Sequence, residues 1–179
     1  MAGRRALGDE MINPAQFRSE IVRPALKAAD MWSEAAENLV LGTAVQESVL
    51  AWVKQRGAGP ALGFYQMEPA TADDICHRFL ATRSDLSVRL AKATWPHMPS
   101  PPAYSHLNAK DIARLLVEDL RFATIMCRLR YWMMPAPLPV ANDIDGLAQY
   151  WKRWFNTDLG SGKVSEWAER YRKYCTPEV

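Results

Sequence analysis

The chain has 179 residues, 49% of them hydrophobic, which is enough for one compact domain with a substantial core. The formal net charge is only +2, and no block is strongly basic or acidic. Bulk electrostatics therefore give no reason to expect nucleic acid or an anionic membrane surface as a partner. No apolar run approaches the roughly 20 residues that cross a bilayer. The N-terminal stretch lacks an apolar segment, so we expect no signal peptide.

The cysteines and histidines argue against disulfides and metal sites. The chain has an odd number of cysteines, and they are widely spaced: Cys76, Cys127 and Cys175. This pattern is typical of reduced thiols in a protein made in a reducing cytoplasm. The three histidines and the cysteines show neither HxxH nor CxxC spacing. We therefore expect no metal and no cofactor.

Periodicity and start signals predict a mainly α fold: a single-domain helical globule of about seven helices with at most a minimal strand element, near residues 62–66. Residues 1–12 are predicted to be a flexible N-terminal extension, and residues 13–179 the folded domain. No internal repeat or low-complexity tract interrupts this domain.

The first two helices have clear start signals. Asn13 followed by Pro14 predicts a capped helix start, and Pro24 is expected to kink this helix. Ser33 is predicted to cap the second helix. The later half of that helix, residues 39–45, is apolar all round, so we expect it to cross the middle of the domain.

The remaining helices are bounded by prolines and glycines. Pro69 is predicted to open the third helix, and a shorter one follows near residues 85–95. The proline-rich segment 96–108 is predicted to be a loop. One long helix is expected from about Lys110 to Trp132. Asn142 is predicted to cap the next helix, and the last follows the glycines at 160 and 162.

Glu47 is the first candidate for chemistry, because it lies near the C-terminal end of the apolar second helix. The helix dipole there is negative and disfavours an ionised carboxylate, so it raises the pKa. Apolar neighbours in sequence, such as Val45 and Trp52, favour the same shift. A carboxyl group that holds its proton near neutral pH can act as a general acid on a glycosidic oxygen. Taken alone, a glutamate at this place is more often a surface helix terminus.

Three separated segments support the catalytic interpretation: 46–48 (Gln-Glu-Ser), 63–72 (GFYQMEPATA) and 154–156 (Trp-Phe-Asn) with its glycine turn. Together they resemble the lytic transglycosylase and goose-type lysozyme superfamily, over residues 36–174. That family has a helix ending in Glu-Ser, a Gly-Leu-Met-Gln segment leading to Pro-x-Thr-Ala, and a distal Tyr-Asn. The resemblance implies a lysozyme-like domain with Glu47 as catalytic acid. It implies substrate-binding roles for Ser48, Gly63, Tyr65, Gln66, Phe155 and Asn156.

The main departure from the family pattern is Phe155, which stands where a tyrosine is usual. If the missing hydroxyl positions the acid or the sugar, activity is reduced or Tyr150 substitutes for it. Trp151, Trp154 and Tyr104 are candidate surfaces on which sugar rings stack, although tryptophans also fill cores. We assign four further tryptophans (Trp32, Trp95, Trp132 and Trp167) to the filling of the core or of an interface.

The resemblance implies a peptidoglycan glycan strand as the partner and a one-carboxylate mechanism. Glu47 would protonate the bond between N-acetylmuramic acid and N-acetylglucosamine and then act as a base, closing a 1,6-anhydro ring. Relatives of this kind are often encoded by bacteriophages, so other virion or tail proteins are possible partners, with action at the cell wall.

Two rival functions remain open. The first is a hydrolytic muramidase in which Glu68, Asp73 or Asp74 positions water, since such hydrolases use two carboxylates about 5–9.5 Å apart. The second is an inactive virion structural or adaptor protein that keeps the fold.

Overall fold

Eight helices account for most of the chain that the computed structural model describes, namely residues 11–57, 59–157 and 160–176. Within these residues, 63% are helical and 2% are in strand-like bridges, and they form a single globule. This confirms the predicted mainly α fold of about seven helices. Residues 1–10 of the predicted extension 1–12 lie outside the described residues, whereas the Ile12 N–H donates to the Leu50 carbonyl at 3.2 Å.

The helix bounds are as follows. Helix α1 comprises Pro14–Gln16, Phe17–Val22 and Arg23–Ala28; α2 is Glu34–Ser48; α3 comprises Pro69–Asp74 and Ile75–Phe79; α4 is Ser84–Thr94. Helix α5 is Ala109–Glu118; α6 is Leu120–Trp132; α7 comprises Ile144–Trp151 and Lys152–Asn156; α8 is Val164–Tyr174. A 3₁₀ turn, Tyr104–His106, lies in the loop between α4 and α5.

The start signals of the first two helices act as predicted. The Asn13 side chain accepts hydrogen bonds from the backbone N–H groups of Ala15 and Gln16, and Pro14 occupies the first helical position. The Ser33 side chain accepts from the Ala36 N–H. A π-helical stretch, Phe17–Val22, directly precedes the turn that contains Pro24, where proline removes one helical hydrogen bond.

Helix α2 is the centre of the fold. Apolar side chains along it, including Leu39, Leu41 and Val45, are 0% exposed. It packs against α7 and α8 in one hydrophobic cluster, while α3 to α6 supply most of a second cluster. Phe155 of α7 packs against both clusters, so the end of α7 lies where the two meet.

The prediction of a single long helix from about Lys110 to Trp132 is wrong, because the chain forms two helices there, α5 and α6, which are separated at Asp119. Asp119 has extended backbone angles (φ −118°, ψ 100°), and its carboxylate accepts from the Phe122 N–H at 2.8 Å and from the Trp95 indole N–H at 2.8 Å. An aspartate that bonds nearby backbone in this way competes with the helical hydrogen-bond pattern. Likewise Asp143, rather than the predicted Asn142, caps α7 through the Gly146 N–H.

The tryptophans are divided between core and surface. Trp167 is fully buried in the core, whereas Trp32 and Trp132 are 43% and 47% exposed, so these two do not fill the core. Cys76, Cys127 and Cys175 are buried free thiols.

Two negative findings concern the described part of the chain only. No helix there is both long and apolar enough to cross a bilayer. No group of three or more His, Cys, Asp or Glu side chains there is arranged to hold a metal ion.

A buried ion pair fastens α1 to α2. The Glu37 side chain is 1% exposed and accepts hydrogen bonds from Arg23 at 2.8 Å, the Trp32 indole N–H at 2.7 Å and Arg18 at 3.0 Å. Burial alone would raise the pKa of Glu37, but these three donors outweigh it and lower the pKa from 4.5 to about 2. The ionised carboxylate is therefore the form that stabilises the fold.

Glu37→Gln is expected to lower the free energy of unfolding near neutral pH by about 2 kcal/mol, because the buried carboxylate that accepts charged hydrogen bonds from the partly exposed Arg18 and Arg23 becomes a neutral amide. Because the pKa of Glu37 is lowered, its contribution is complete above about pH 4.5 and is lost as the pH falls towards about 2. Urea titrations between about pH 2 and pH 7 should show this pH-dependent part of the free energy of unfolding in the wild type and not in the variant. Glu34→Gln, at an exposed position of the same helix, is the matched control; equal losses in both variants would contradict the assignment.

Candidate active site

A cleft of about 650 Å³ opens beside Glu47. Its walls come from the end of α2 and the loop after it, from the segment that leads into α3, from α6, and from the end of α7 with the turn that follows. The lining side chains include four predicted site residues, Glu47, Gln66, Phe155 and Asn156, together with Trp52, Gln55, Arg56, Ala61, Met67, Glu68, Thr71, Arg130, Thr157, Gly160 and Ser161. The fold thus brings the acid and the distal Phe-Asn segment to one cleft.

Glu47 is partly buried in the cleft wall, and α7 fixes its carboxyl group. The indole N–H of Trp151 donates to Oε1 of Glu47 at 2.9 Å. Because an indole nitrogen can only donate, Oε1 is the acceptor in this hydrogen bond, and the contact favours the neutral form that has its proton on Oε2, since a carbonyl oxygen accepts better than a hydroxyl oxygen. Trp151 is itself 0% exposed, so its ring has little freedom to move away.

Burial raises the pKa of Glu47 from 4.5 to about 7, while the Trp151 hydrogen bond and the positive charge of Arg170 lower it and moderate the shift. Arg170 is fixed by two contacts: it donates to the Gln46 carbonyl at 2.8 Å, at the C-terminal end of α2, and to Glu166 at 2.8 Å. Near neutral pH, Glu47 therefore has both its acid and its base form well populated.

The chain leaves α2 through a strained turn directly after the acid. Val49 and Leu50 both have left-handed backbone angles (φ 51° and 49°), which are costly for non-glycine residues. The Ser48 hydroxyl supports the turn, because it donates to the Ala44 carbonyl and accepts from the Leu50 N–H. Ser48 is 2% exposed and is not among the residues that line the cleft, so its contacts are structural.

Gly63, Tyr65 and Gln66 form the loop that faces Glu47, but only Gln66 lines the cleft. Gly63 has φ +69°, and a Cβ at this position would overlap the carbonyl oxygen of Leu116, so both the turn and the close approach require glycine. Tyr65 is 2% exposed and its hydroxyl bonds Thr124 at 2.9 Å. Gly63 and Tyr65, both predicted to bind substrate, therefore lie outside the cleft lining and stabilise the conformation of this loop.

The distal turn places Asn156 in the cleft. Lys152, one turn earlier in α7, donates to Oδ1 of Asn156 at 2.9 Å and to the Gly160 carbonyl at 2.7 Å. A Cβ on Gly162 would overlap the ring of Trp151, so this glycine allows the turn to pack on the residue that holds Glu47. The Phe155 ring lies 5.5 Å from that of Tyr131.

Most of the other candidates from the sequence lie away from the cleft. Tyr104, predicted as a stacking surface, is 0% exposed and bonds Thr94. The Tyr150 hydroxyl donates to the Ala136 carbonyl, so it does not take the place of a tyrosine hydroxyl at position 155. Trp154 packs against Tyr150 and is not part of the lining. Among the possible second carboxylates, Glu68 lines the cleft, whereas Asp73 and Asp74 pair with His77 and Arg78 on α3.

The sequence did not reveal several residues of this site. Trp151 is predicted as a stacking surface or a core residue and not as a donor to the acid, although its position four residues before Phe155 places both on one face of α7. For Arg170, the sequence indicates no more than a positive charge in the last helix. Trp52 and Arg56 follow Glu47 closely in sequence but belong to no part of the motif, and only the fold brings Arg130 to the cleft.

Comparisons with known proteins add no relative: no protein-family model, curated protein or solved structure matches this chain. The assignment of a function therefore depends on the residues of this chain and on their arrangement.

Trp151→Phe is expected to raise the pKa of Glu47 by roughly one pH unit, because the carboxylate loses a hydrogen-bond donor worth about 1.5 kcal/mol or more. The measurement is a ¹³C NMR titration of the Glu47 carboxyl carbon, which does not require activity. Trp154→Phe, a change of the same kind on the same helix, should leave the titration unaltered. A fall in the pKa in folded Trp151→Phe protein would contradict the role given to the indole.

Proposed function

We propose that this protein cleaves the glycan strand of peptidoglycan at the bond between N-acetylmuramic acid and N-acetylglucosamine, by lytic transglycosylation. One observation carries the proposal: a carboxyl group with a pKa of about 7, fixed by an indole, lines an open polar cleft that also contains Gln66 and Asn156. The resemblance of the three sequence segments to the family supports the same activity. No cofactor takes part.

The pKa of Glu47 suits a group that both donates and accepts a proton in one reaction. Neutral Glu47 protonates the oxygen that leaves from the muramic acid unit, and the N-acetyl group of the substrate stabilises the cationic carbon. The resulting carboxylate then removes the proton from the 6-hydroxyl, whose oxygen attacks that carbon and closes the 1,6-anhydro ring. Glu47 ends the cycle protonated, so no second carboxylate is needed.

Two amide side chains are suited to hold the sugar. The Gln66 amide nitrogen donates to the Gly63 carbonyl at 2.7 Å, which leaves the amide oxygen as an acceptor for glycan N–H or O–H groups. The Asn156 oxygen accepts from Lys152, which leaves the amide nitrogen as a donor. The two side chains thus offer opposite polarity for N-acetyl and hydroxyl groups.

Hydrolysis is the second candidate, and one observation favours it: Glu68 lines the same cleft as Glu47 and is exposed, so it could position a water molecule. The expected biological setting for either reaction is a bacteriophage protein that opens the cell wall locally. A virion structural or adaptor protein without activity is the remaining alternative.

Glu47→Gln is expected to reduce release of soluble fragments from purified peptidoglycan sacculi by roughly a hundredfold or more, because the amide cannot donate the proton. Mass spectrometry of the products separates the reactions, since anhydro ends weigh one water less than reducing ends. Glu118→Gln, outside the cleft, is the control for the substitution itself. Fragments with reducing ends that depend on Glu68 would indicate hydrolysis, and absence of release by the wild type would contradict both reactions.

The rate of cleavage should depend on the protonated form of Glu47 and therefore fall as the pH rises through about 7. The measurement is the initial rate of sacculus solubilisation between about pH 5 and pH 9 at constant ionic strength. Arg170→Gln should move this alkaline limb to higher pH, because a positive charge that favours the carboxylate is removed. A limb centred near pH 4.5, the ordinary pKa of a glutamate, would contradict a raised pKa for the catalytic acid.

A further inference from the structure

An exposed tryptophan lines the cleft at its rim and has no part in the mechanism above. Trp52 is 45% exposed although it is the largest apolar side chain of its loop, five residues after Glu47. Exposed aromatic rings that line a polar cleft are a common means of binding ligands with an apolar face and a polar edge. A pyranose ring is such a ligand, because its axial C–H groups form an apolar face.

The backbone around Trp52 is fixed, so the ring is presented from a defined position. The Trp52 carbonyl accepts from the Gln66 side chain at 3.4 Å, and the Val53 carbonyl accepts from the Gly63 N–H at 2.9 Å. The Gln55 N–H donates to the Ala61 carbonyl at 3.0 Å. The segment that carries Trp52 is thus tied to the loop that carries Gln66, and both lie on one wall.

A cation accompanies the ring. The guanidinium of Arg56 lies 5.2 Å from the centre of the Trp52 ring, within the range of a cation–π contact, and Arg56 also lines the cleft. The cleft lining thus holds an exposed aromatic ring and a cation side by side. A guanidinium is well suited to pair with a carboxylate in two-point geometry.

We propose that Trp52 and Arg56 form a sugar subsite at the rim of the cleft, which binds an N-acetylated sugar that carries a free carboxylate. The sugar ring stacks on Trp52, and its carboxylate pairs with Arg56. The choice of a glycan as the ligand rests on the proposed function, but the subsite binds its ligand whether or not Glu47 cleaves it.

The chain contains a matched control for this pair. Trp132 is 47% exposed and has the guanidinium of Arg128 at 5.0 Å from its ring, so its exposure and its cation–π contact resemble those of Trp52. Trp132 is not among the residues that line the cleft. Loss of sugar binding on removal of Trp52 but not of Trp132 would therefore depend on the position of the ring in the cleft.

The test is calorimetric titration of the full chain carrying Glu47→Gln, which prevents cleavage, with two probes. One is the tetrasaccharide of alternating N-acetylglucosamine and peptide-free N-acetylmuramic acid, and the other is the neutral N-acetylglucosamine tetrasaccharide. We expect the acidic probe to bind more tightly. Adding Trp52→Ala should lower the affinity for both probes by roughly tenfold, whereas adding Trp132→Ala should change neither affinity. Adding Arg56→Gln should remove the preference for the acidic probe, while Arg78→Gln, on an exposed residue of α3, keeps it.

Equal affinities in the Trp52→Ala and Trp132→Ala proteins, or failure of the parent to bind either probe, would overturn the subsite. A preference for the acidic probe that survives Arg56→Gln would overturn the role of Arg56. These outcomes are independent of cleavage. Trp52-dependent binding by a wild type that releases no fragments would refute the proposed function alone, and cleavage without any effect of Trp52 on binding would refute the subsite alone.

Discussion

The hydrogen bond from the Trp151 indole to the Glu47 carboxyl is the interaction on which the site depends. It joins the end of the buried helix α2 to the face of α7, over a sequence separation of 104 residues. Without burial, Glu47 would be an ordinary ionised carboxylate; without the indole, a buried acid would have no fixed orientation. The two effects act in opposite directions on the pKa, and their balance near 7 suits a group that both gives and takes a proton.

The elements around this hydrogen bond hold the acid in place from several sides. Arg170 of α8 satisfies the Gln46 carbonyl at the end of α2, where helical hydrogen bonding stops. The Ser48 hydroxyl stabilises the left-handed turn of Val49 and Leu50, whose strain is concentrated directly beside the acid. On the other side, Gly162 lets the distal turn pack on Trp151. Residues outside the cleft thus decide the geometry inside it.

The structure gives Phe155 a role in packing and gives the contact with the acid to another residue of α7. Trp151, one helical turn earlier, supplies a donor to Glu47 from the same helix. Phe155 instead packs against both hydrophobic clusters and Tyr131, where an apolar ring is favourable. The acid is therefore positioned by an indole, and no tyrosine hydroxyl is needed at position 155 for this contact.

Local signals in the sequence were sufficient for most helices and for the central place of α2. Asn13, Ser33 and Pro69 mark helix starts through interactions within one turn, so no tertiary information is needed to find them. The break at Asp119 was missed, because its carboxylate bonds Trp95 from a different helix as well as its own backbone. Sequence periodicity cannot detect a competing contact of this kind.

The sequence by itself determined the helical class and the candidate acid, and it pointed to Gln66, Phe155 and Asn156 as its companions. Only the tertiary structure decided that these side chains share a cleft, and that its lining also includes Trp52, Arg56 and Arg130. It also decided that Ser48, Gly63 and Tyr65 lie outside the lining and stabilise the segments that form it. The physical reason is distance along the chain. Caps and helical periodicity act over a few residues, whereas burial, a shifted pKa and a shared cleft arise only when segments about a hundred residues apart pack together.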